Sequence, residues 1–213
     1  MADRLIPLLQ AHGLGFCLGP RCVLAAIDLS LYRGSCTLIS GDNGAGKSTL
    51  LHLLQGRLQP SRGWVRVLGQ PLRGQRRRLC LVPQQPTLRW DYPIDVAGLV
   101  GLPCRGEQAT TRKALVQTGL LAMAQAPIAT LSGGQRQRAL IARALTSRAD
   151  VLLLDEPLSN LDHQGRRQIL QLLADLGRQG TAIVFTAHEE RLPGLEHITR
   201  LQLDGGRLQE FVP

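Results

Sequence analysis

Apolar residues in this chain follow two different rhythms. Short, nearly unbroken runs recur at Cys36 to Ser40 (CTLIS), Trp64 to Leu68 (WVRVL), Leu79 to Val82 (LCLV), Val151 to Leu154 (VLLL) and Ile183 to Thr186 (IVFT). Between them lie longer windows with helical period. Lys47 to Gln55 (KSTLLHLLQ) is one, and Gln164 to Gly177 is another, with Ile169, Leu170, Leu172, Leu173 and Leu176 forming its apolar stripe. A run such as VLLL, with no polar alternation, suits a parallel strand buried on both faces. Strand, helix, strand at this spacing predicts βαβ crossovers and an α/β sheet. The stretch from about Pro86 to Ser132 breaks the rhythm. It is helical in pattern and punctuated by Pro93, Gly101, Pro103, Gly106 and Pro127, so it reads as a small lobe inserted between two strands. Counting the helix that follows, the insertion covers approximately 86–147 of a single domain spanning 1–213. Near the end, Thr199 to Leu203 and Arg207 to Phe211 flank Asp204-Gly205-Gly206, a hairpin signal.

Composition narrows the picture. A 213-residue chain that is 44% hydrophobic can bury a core, which argues against disorder. No apolar stretch is long enough to span a bilayer, and Met1-Ala2-Asp3-Arg4 does not open a secretory signal, so a cytosolic protein, able to rest against a membrane, is expected. The net charge of +9 favours anionic partners: nucleotides, nucleic acid or a membrane face. The basic run Arg73, Arg76, Arg77 and Arg78 reads as a solvated turn before a strand. With only 3% aromatic residues there are few stacking platforms, and no nucleic acid partner is expected. Cysteines at 17, 22, 36, 80 and 104 form no CxxC pair, and their odd count and loose spacing suit reduced thiols. Cys36 and Cys80 read as small core residues, and neither a zinc site nor other chemistry is assigned to any cysteine.

Three segments carry chemistry. Gly41-Asp42-Asn43-Gly44-Ala45-Gly46-Lys47-Ser48 fits G-x-x-x-x-G-K-[ST], with a strand before it and a helix after. Its glycines let successive amide N–H groups converge on phosphate oxygens at a helix N-terminus. Lys47 would reach the β and γ phosphates, and the Ser48 hydroxyl would ligate Mg²⁺. Second, Asp155-Glu156 ends the VLLL run, at the edge of a parallel sheet where ligands bind. Asp155 would hold Mg²⁺ through its water shell, and Glu156 would orient and polarise a water in line with the γ-phosphate. Alone, two carboxylates there also suit a strand cap. Third, Leu131-Ser132-Gly133-Gly134-Gln135-Arg136-Gln137-Arg138 offers a second helix terminus with free backbone amides. Taken alone it also suits a simple cap. Two phosphate-facing ends with one full cradle make sense if each serves a different nucleotide in a symmetric dimer.

The ordered set GDNGAGKST (41–49), VPQ ending at Gln84, LSGGQRQR (131–138), VLLLDEP (151–157), SNLD (159–162) and TAH ending at His188 resembles the ABC ATPase family over nearly the whole chain. The resemblance implies a P-loop NTPase core with a parallel sheet, an N-terminal antiparallel β region and an inserted helical subdomain. It also implies a head-to-tail homodimer with two ATP molecules sandwiched between cradle and signature. By position, Gly41, Asn43, Gly44, Ala45, Gly46, Lys47, Ser48 and Thr49 bind one nucleotide, while Ser132, Gly133 and Gly134 contact the one held by the opposite copy. Gln84 touches Mg²⁺ and the attacking water, Asp162 bridges the two sites, and His188 steadies the γ-phosphate. In two places the chain departs from the pattern. The aromatic that normally stacks on adenine falls at Leu18, with Phe16 two residues earlier, and the helical lobe is short.

The Trp90-Asp91-Tyr92-Pro93 run after Gln84 is similar to ATPases of manganese, zinc and iron-chelate importers, although a Pro-stabilised turn packing Trp90 and Tyr92 on the lobe also accounts for it. The expected function is the ATP-hydrolysing subunit of a membrane transporter, for a transition metal. Alternatives are another cargo, such as haem export, or a soluble ABC ATPase, which usually needs insertions or modules absent from this sequence. Expected partners are permease subunits, a second copy and an extracytoplasmic binding protein, at the cytoplasmic side of the inner membrane.

Overall fold

The computed structural model of the chain describes residues 6–86, 88–188 and 198–210. Its strands are β1 (Leu9–Leu18), β2 (Arg21–Leu31), β3 (Cys36–Ser40), β4 (Arg62–Val67), β5 (Gln70–Pro71), β6 (Leu79–Val82), β7 (Val151–Leu154), β8 (Ala182–Thr186), β9 (Thr199–Asp204) and β10 (Arg207–Glu210). Its α-helices are α1 (Lys47–Gln55), α2 (Val96–Gly101), α3 (Gln108–Gln117), α4 (Gly133–Thr146) and α5 (His163–Arg178). One sheet runs β10-β9-β3-β8-β7-β6, with every pair parallel except the β9–β10 hairpin. The other, β2-β1-β4-β5, is antiparallel, and the run around Trp64 belongs to it. The terminal hairpin turns through Gly205 and Gly206, both at positive φ, while Phe211 lies outside the described residues.

The parallel strands are apolar throughout because each feeds two cores. Along β7, Val151 and Leu153 point into one cluster, Leu152 and Leu154 into the other; Val184 and Phe185 divide in the same way on β8. The first cluster joins the antiparallel sheet to α1 through Leu9, Leu31, Leu50 and Leu54. The second takes the stripe of α5, with Ile169 and Leu173 fully buried. Burying such a side chain contributes about 1.5–3 kcal/mol, so these strands carry much of the stability of the fold. Between β6 and β7, helices α2, α3 and α4 pack around a cluster of their own, including Val96, Leu99, Leu115, Ile128 and Ala139. Leu88 and Trp90 touch both this cluster and the second core. Tyr92 does not share that role, being 61% exposed. The basic run forms exposed 3₁₀ turns ahead of β6, and Arg78 donates to Asp150 at 2.6 Å.

The expectation of reduced thiols throughout is corrected at the β1–β2 hairpin. Cys17 and Cys22 are joined by a disulfide, with Cα atoms 3.9 Å apart. The two-residue turn at Gly19-Pro20 sets position 17 directly opposite 22, a proximity that linear Cys spacing does not display. Cys36, Cys80 and Cys104 are free thiols. Burial pushes the Cys36 thiol up to about 12.

Candidate nucleotide site

β3 leads into a loop, residues 41 to 46, that ends on α1. Gly41, Gly44 and Gly46 all have positive φ. At Gly41 a Cβ would sit 2.5 Å from the Leu203 carbonyl oxygen, and at Gly46 3.0 Å from Val23 Cγ1, so neither position accepts a side chain. Asn43 and Gly44 lie exposed at the crest, Ala45 and Thr49 are half-buried, and Ser48 is exposed on the first turn of α1. Lys47 is buried, and its Nζ donates to the carbonyls of Gly41 at 2.7 Å and Asp42 at 3.1 Å.

Strands β6, β7 and β8 are parallel neighbours, so their C-terminal ends share one edge with this loop. There the structure brings three of the expected residues together around the carboxylate of a fourth, Glu156. Gln84 Nε2 donates to Glu156 Oε2 at 2.6 Å, His188 Nε2 lies 3.0 Å from Oε1, and Lys47 Nζ lies 3.8 Å from Oε1. Glu156 itself has φ +47, a left-handed conformation that costs a non-glycine residue about 1–2 kcal/mol. Asp155 is buried beside it. Thr186, fully buried at the end of β8, donates its hydroxyl to Asp155 Oδ1 at 2.9 Å and accepts from the Glu156 N–H at 2.8 Å. Thr186 was not among the sequence candidates. Its signal was a lone hydroxyl closing an apolar strand, too common a feature to single out.

Ser132 stands elsewhere. It caps α4 in a reciprocal box: Gln135 N–H donates to Ser132 Oγ, and Ser132 N–H donates to Gln135 Oε1 at 2.8 Å. With Gly133 and Gly134 it lines a cavity of about 410 Å³ shared with Asn160, Asp162 and Gly165. Asp162 caps α5, accepting from Gly165 N–H at 2.7 Å. No hydrogen bond or ion pair among the described residues ties Ser132, Gly133 or Gly134 to Lys47 or Glu156. One chain thus carries two separate helix-tip surfaces. Arg136 of α4 sits 5.0 Å over the Trp90 ring, linking the start of α4 to the segment after Gln84, a contact the sequence did not suggest.

Comparison with known proteins decides the family. The family described as ABC transporter matches residues 24–159. This chain belongs to the ABC transporter family. Among its relatives is the zinc transport system ATP-binding protein TroB of Treponema pallidum (strain Nichols), 36% identical over 178 residues, covering 78% of this chain and 67% of that one. The manganese transport system ATP-binding protein MntB of Bacillus subtilis (strain 168) is 35% identical over 178 residues, covering 78% and 71%. Among solved structures, cbiO1 from Clostridium perfringens, part of the ABC transporter complex cbiONQ, superposes with a TM-score of 0.85 at 28% identity, covering 96% of this chain and 87% of that one. ABC membership brings ATP binding and hydrolysis with it, and a place among the ATP-binding subunits of transport systems. Among the described residues, no helix is long and apolar enough to cross a membrane.

Proposed function

We propose that this ABC chain is the motor of a membrane transporter, working as a head-to-tail pair of copies and carrying a transition metal ion or its chelate. One observation supports the pairing above all. A Cβ at Gly133 or Gly134 would meet nothing closer than 3.9 Å, and neither residue has positive φ. Glycine in a helix costs up to about 1 kcal/mol relative to alanine, so packing within the chain gives these two residues no reason to be glycine. Close approach by something outside the chain does. A phosphate held in the cradle of a second copy fits, because the tip of α4 offers free N–H groups and a positive helix end.

In this reading Gly41, Asn43, Gly44, Ala45, Gly46, Lys47 and Thr49 bind one ATP, and Ser132, Gly133 and Gly134 close over the other copy's. Glu156 orients and polarises the attacking water, held by Gln84 and His188, with His188 also steadying the γ-phosphate; Asp162 bridges the two sites. Ser48, Asp155 and Gln84 supply hydroxyl, carboxylate and amide oxygens, a hard donor set that suits Mg²⁺. Among the described residues there is no group of three or more His, Cys, Asp or Glu able to hold a metal. The ion would be held by one carboxylate together with phosphate oxygens. When bound, Mg²⁺ would neutralise phosphate charge.

The permease has a place to dock. A groove of about 260 Å³ between the core and the lobe is walled by Val82, Pro86, Leu88, Leu140 and Ala144, with Arg57 and Arg143 among its lining. It adjoins Gln84, so an inserted permease segment would sense the residue that holds Glu156. The cargo assignment rests on the zinc and manganese systems of the relatives and on the Trp90 segment. An extracytoplasmic binding protein and a cytoplasmic, membrane-side location follow from that assignment. The test is Glu156→Gln with Mg-ATP, by light scattering and phosphate release. Expected are a stable dimer and no turnover. A variant that hydrolyses normally, or stays monomeric with ATP even beside its permease, refutes the reading.

A further inference from the structure

We infer that Cys17 and Cys22 form a reversible redox site that sets how firmly the chain holds the base end of its nucleotide. The inference rests on the ATP reading above. The pair closes the tip of the β1–β2 hairpin, and the residues just inside it pack against the cradle. Val23, next to Cys22, has its Cγ1 3.0 Å from where a Gly46 Cβ would stand, and Phe16 and Val23 pack with Ala45 against the first core. From Val23 onward the hairpin is anchored: Ala25 N–H donates to the Gly206 carbonyl at 2.7 Å, and a Gly206 Cβ would stand only 2.7 Å from Val23 O.

The tip has little of this support. The β1–β2 register shifts at three places between Ala11 and Cys17. The Cys17 N–H turns away from β2 to donate to Ser61 Oγ at 3.1 Å. Beyond these irregularities the ladder resumes only at Cys17–Cys22 and Leu18–Arg21, and the covalent link locks that short stretch in register.

The hydrolytic groups Glu156, Gln84 and His188 lie at the ends of β6, β7 and β8, so a γ-phosphate placed there leaves the base to another wall. The hairpin tip supplies one, with Leu18 apolar and 64% exposed beside Cys17. An aliphatic contact is weaker than a stacked ring, and it works only if its carrier is already in place. The brace provides that preorganisation.

The chemistry is a two-electron exchange with a dithiol/disulfide couple. A thiolate of the dithiol attacks one sulfur, the Cys17–Cys22 bond breaks, and the second thiol of the reagent displaces the mixed disulfide. Cys17 and Cys22 leave as two thiols carrying two protons, and the reagent leaves as its disulfide. Oxidation is the reverse.

The experiment equilibrates the full chain with reduced and oxidised dithiothreitol at set ratios. Thiols are counted after denaturation, and equilibrium dialysis measures binding of Mg-ATP and of magnesium triphosphate, which has no base. Expected are a fall from five thiols to three as the buffer becomes oxidising, and ATP binding about fivefold tighter in the oxidised form. Triphosphate binding should not change. Cys17→Ser and Cys22→Ser should each bind ATP with the reduced-form affinity in every buffer. Five thiols under all conditions, equal ATP affinity in the two forms, or an equal change in triphosphate binding overturns the inference. Failure of both forms to bind either ligand overturns the ATP reading, and this inference with it.

Discussion

Thr186→Val is the sharpest probe of how the two carboxylates are held. The substitution is nearly isosteric, keeps β-branching in a strand, and changes one hydroxyl to a methyl in a site with no exposure. Two interactions go with it. The hydrogen bond to the Asp155 carboxylate is charge-assisted, worth about 1.5–3 kcal/mol, and the Glu156 N–H loses its acceptor at about 1–3 kcal/mol. Because both are made by one oxygen in one network they do not simply add, and the expected loss is about 2–4 kcal/mol. In urea the midpoint should fall by roughly 1 M with the slope unchanged. Thr186→Ser keeps the oxygen and loses only a methyl, about 1 kcal/mol, and should stand between the two. Turnover of the valine variant should drop by tenfold or more, up to about a hundredfold, because the Glu156 backbone loses its anchor. A valine variant within about 0.5 kcal/mol of the parent, or a serine variant less stable than the valine one, would refute the bridging role.

Gly63→Ala should cost on the order of 3 kcal/mol in the same urea assay, since φ is +76 and the new Cβ would stand 2.4 Å from the carbonyls of His12 and Gly13. Gly134→Ala should behave in the opposite way: stability within about 0.5 kcal/mol of the parent, with ATP turnover reduced at least about tenfold. Burial disfavours the Cys36 thiolate, so in the native chain at pH 8 iodoacetamide should label Cys104 first and leave Cys36 unmodified until unfolding. The same shift makes stability fall with alkali. It is fully present below the ordinary thiol value of 9.0 and is lost as pH rises from there towards about 12, because only the unfolded chain ionises in that window.

The elements with one strong local cause were legible. VLLL and IVFT announce buried parallel strands, and the α5 stripe announces its helix to within a residue or two at each end. The cradle was legible because its glycines answer to backbone geometry confined to eight consecutive residues, 41 to 48. What the sequence hid depends on contacts between distant segments. Thr186 matters only because β8 lies beside β7, which sets its hydroxyl against residues 155 and 156. The Cys17–Cys22 pair needs the hairpin turn to be known first. Trp90 and Tyr92 looked alike in the sequence, yet one bridges two apolar clusters while the other faces solvent. Which of two aromatics a turn buries is decided by the helices beside it.

Two local costs fall at the candidate nucleotide site, and they stand on different surfaces. Glu156 sits left-handed without being glycine, stabilised by the fixed Thr186 hydroxyl and by Gln84 and His188 around its carboxylate. Gly133 and Gly134 forgo side chains for which the chain has room, at the tip of a helix already capped on both counts by Ser132 and Gln135. Departures from local preference that packing does not require are a sign of a site. Either one alone could belong to a site complete within a single chain. Together they do not fit that description, because no described polar contact joins them and each is half of what a triphosphate needs: a cradle with a poised carboxylate, and a donor-rich lid. A lid rigidly built on α4 and α5 cannot fold back on its own cradle without dismantling the packed lobe, in which Ala139 and Leu131 are buried. In the proposed pairing, a second copy turned end to end would join the halves with no refolding, using the poised carboxylate of one copy and the open glycine tip of the other.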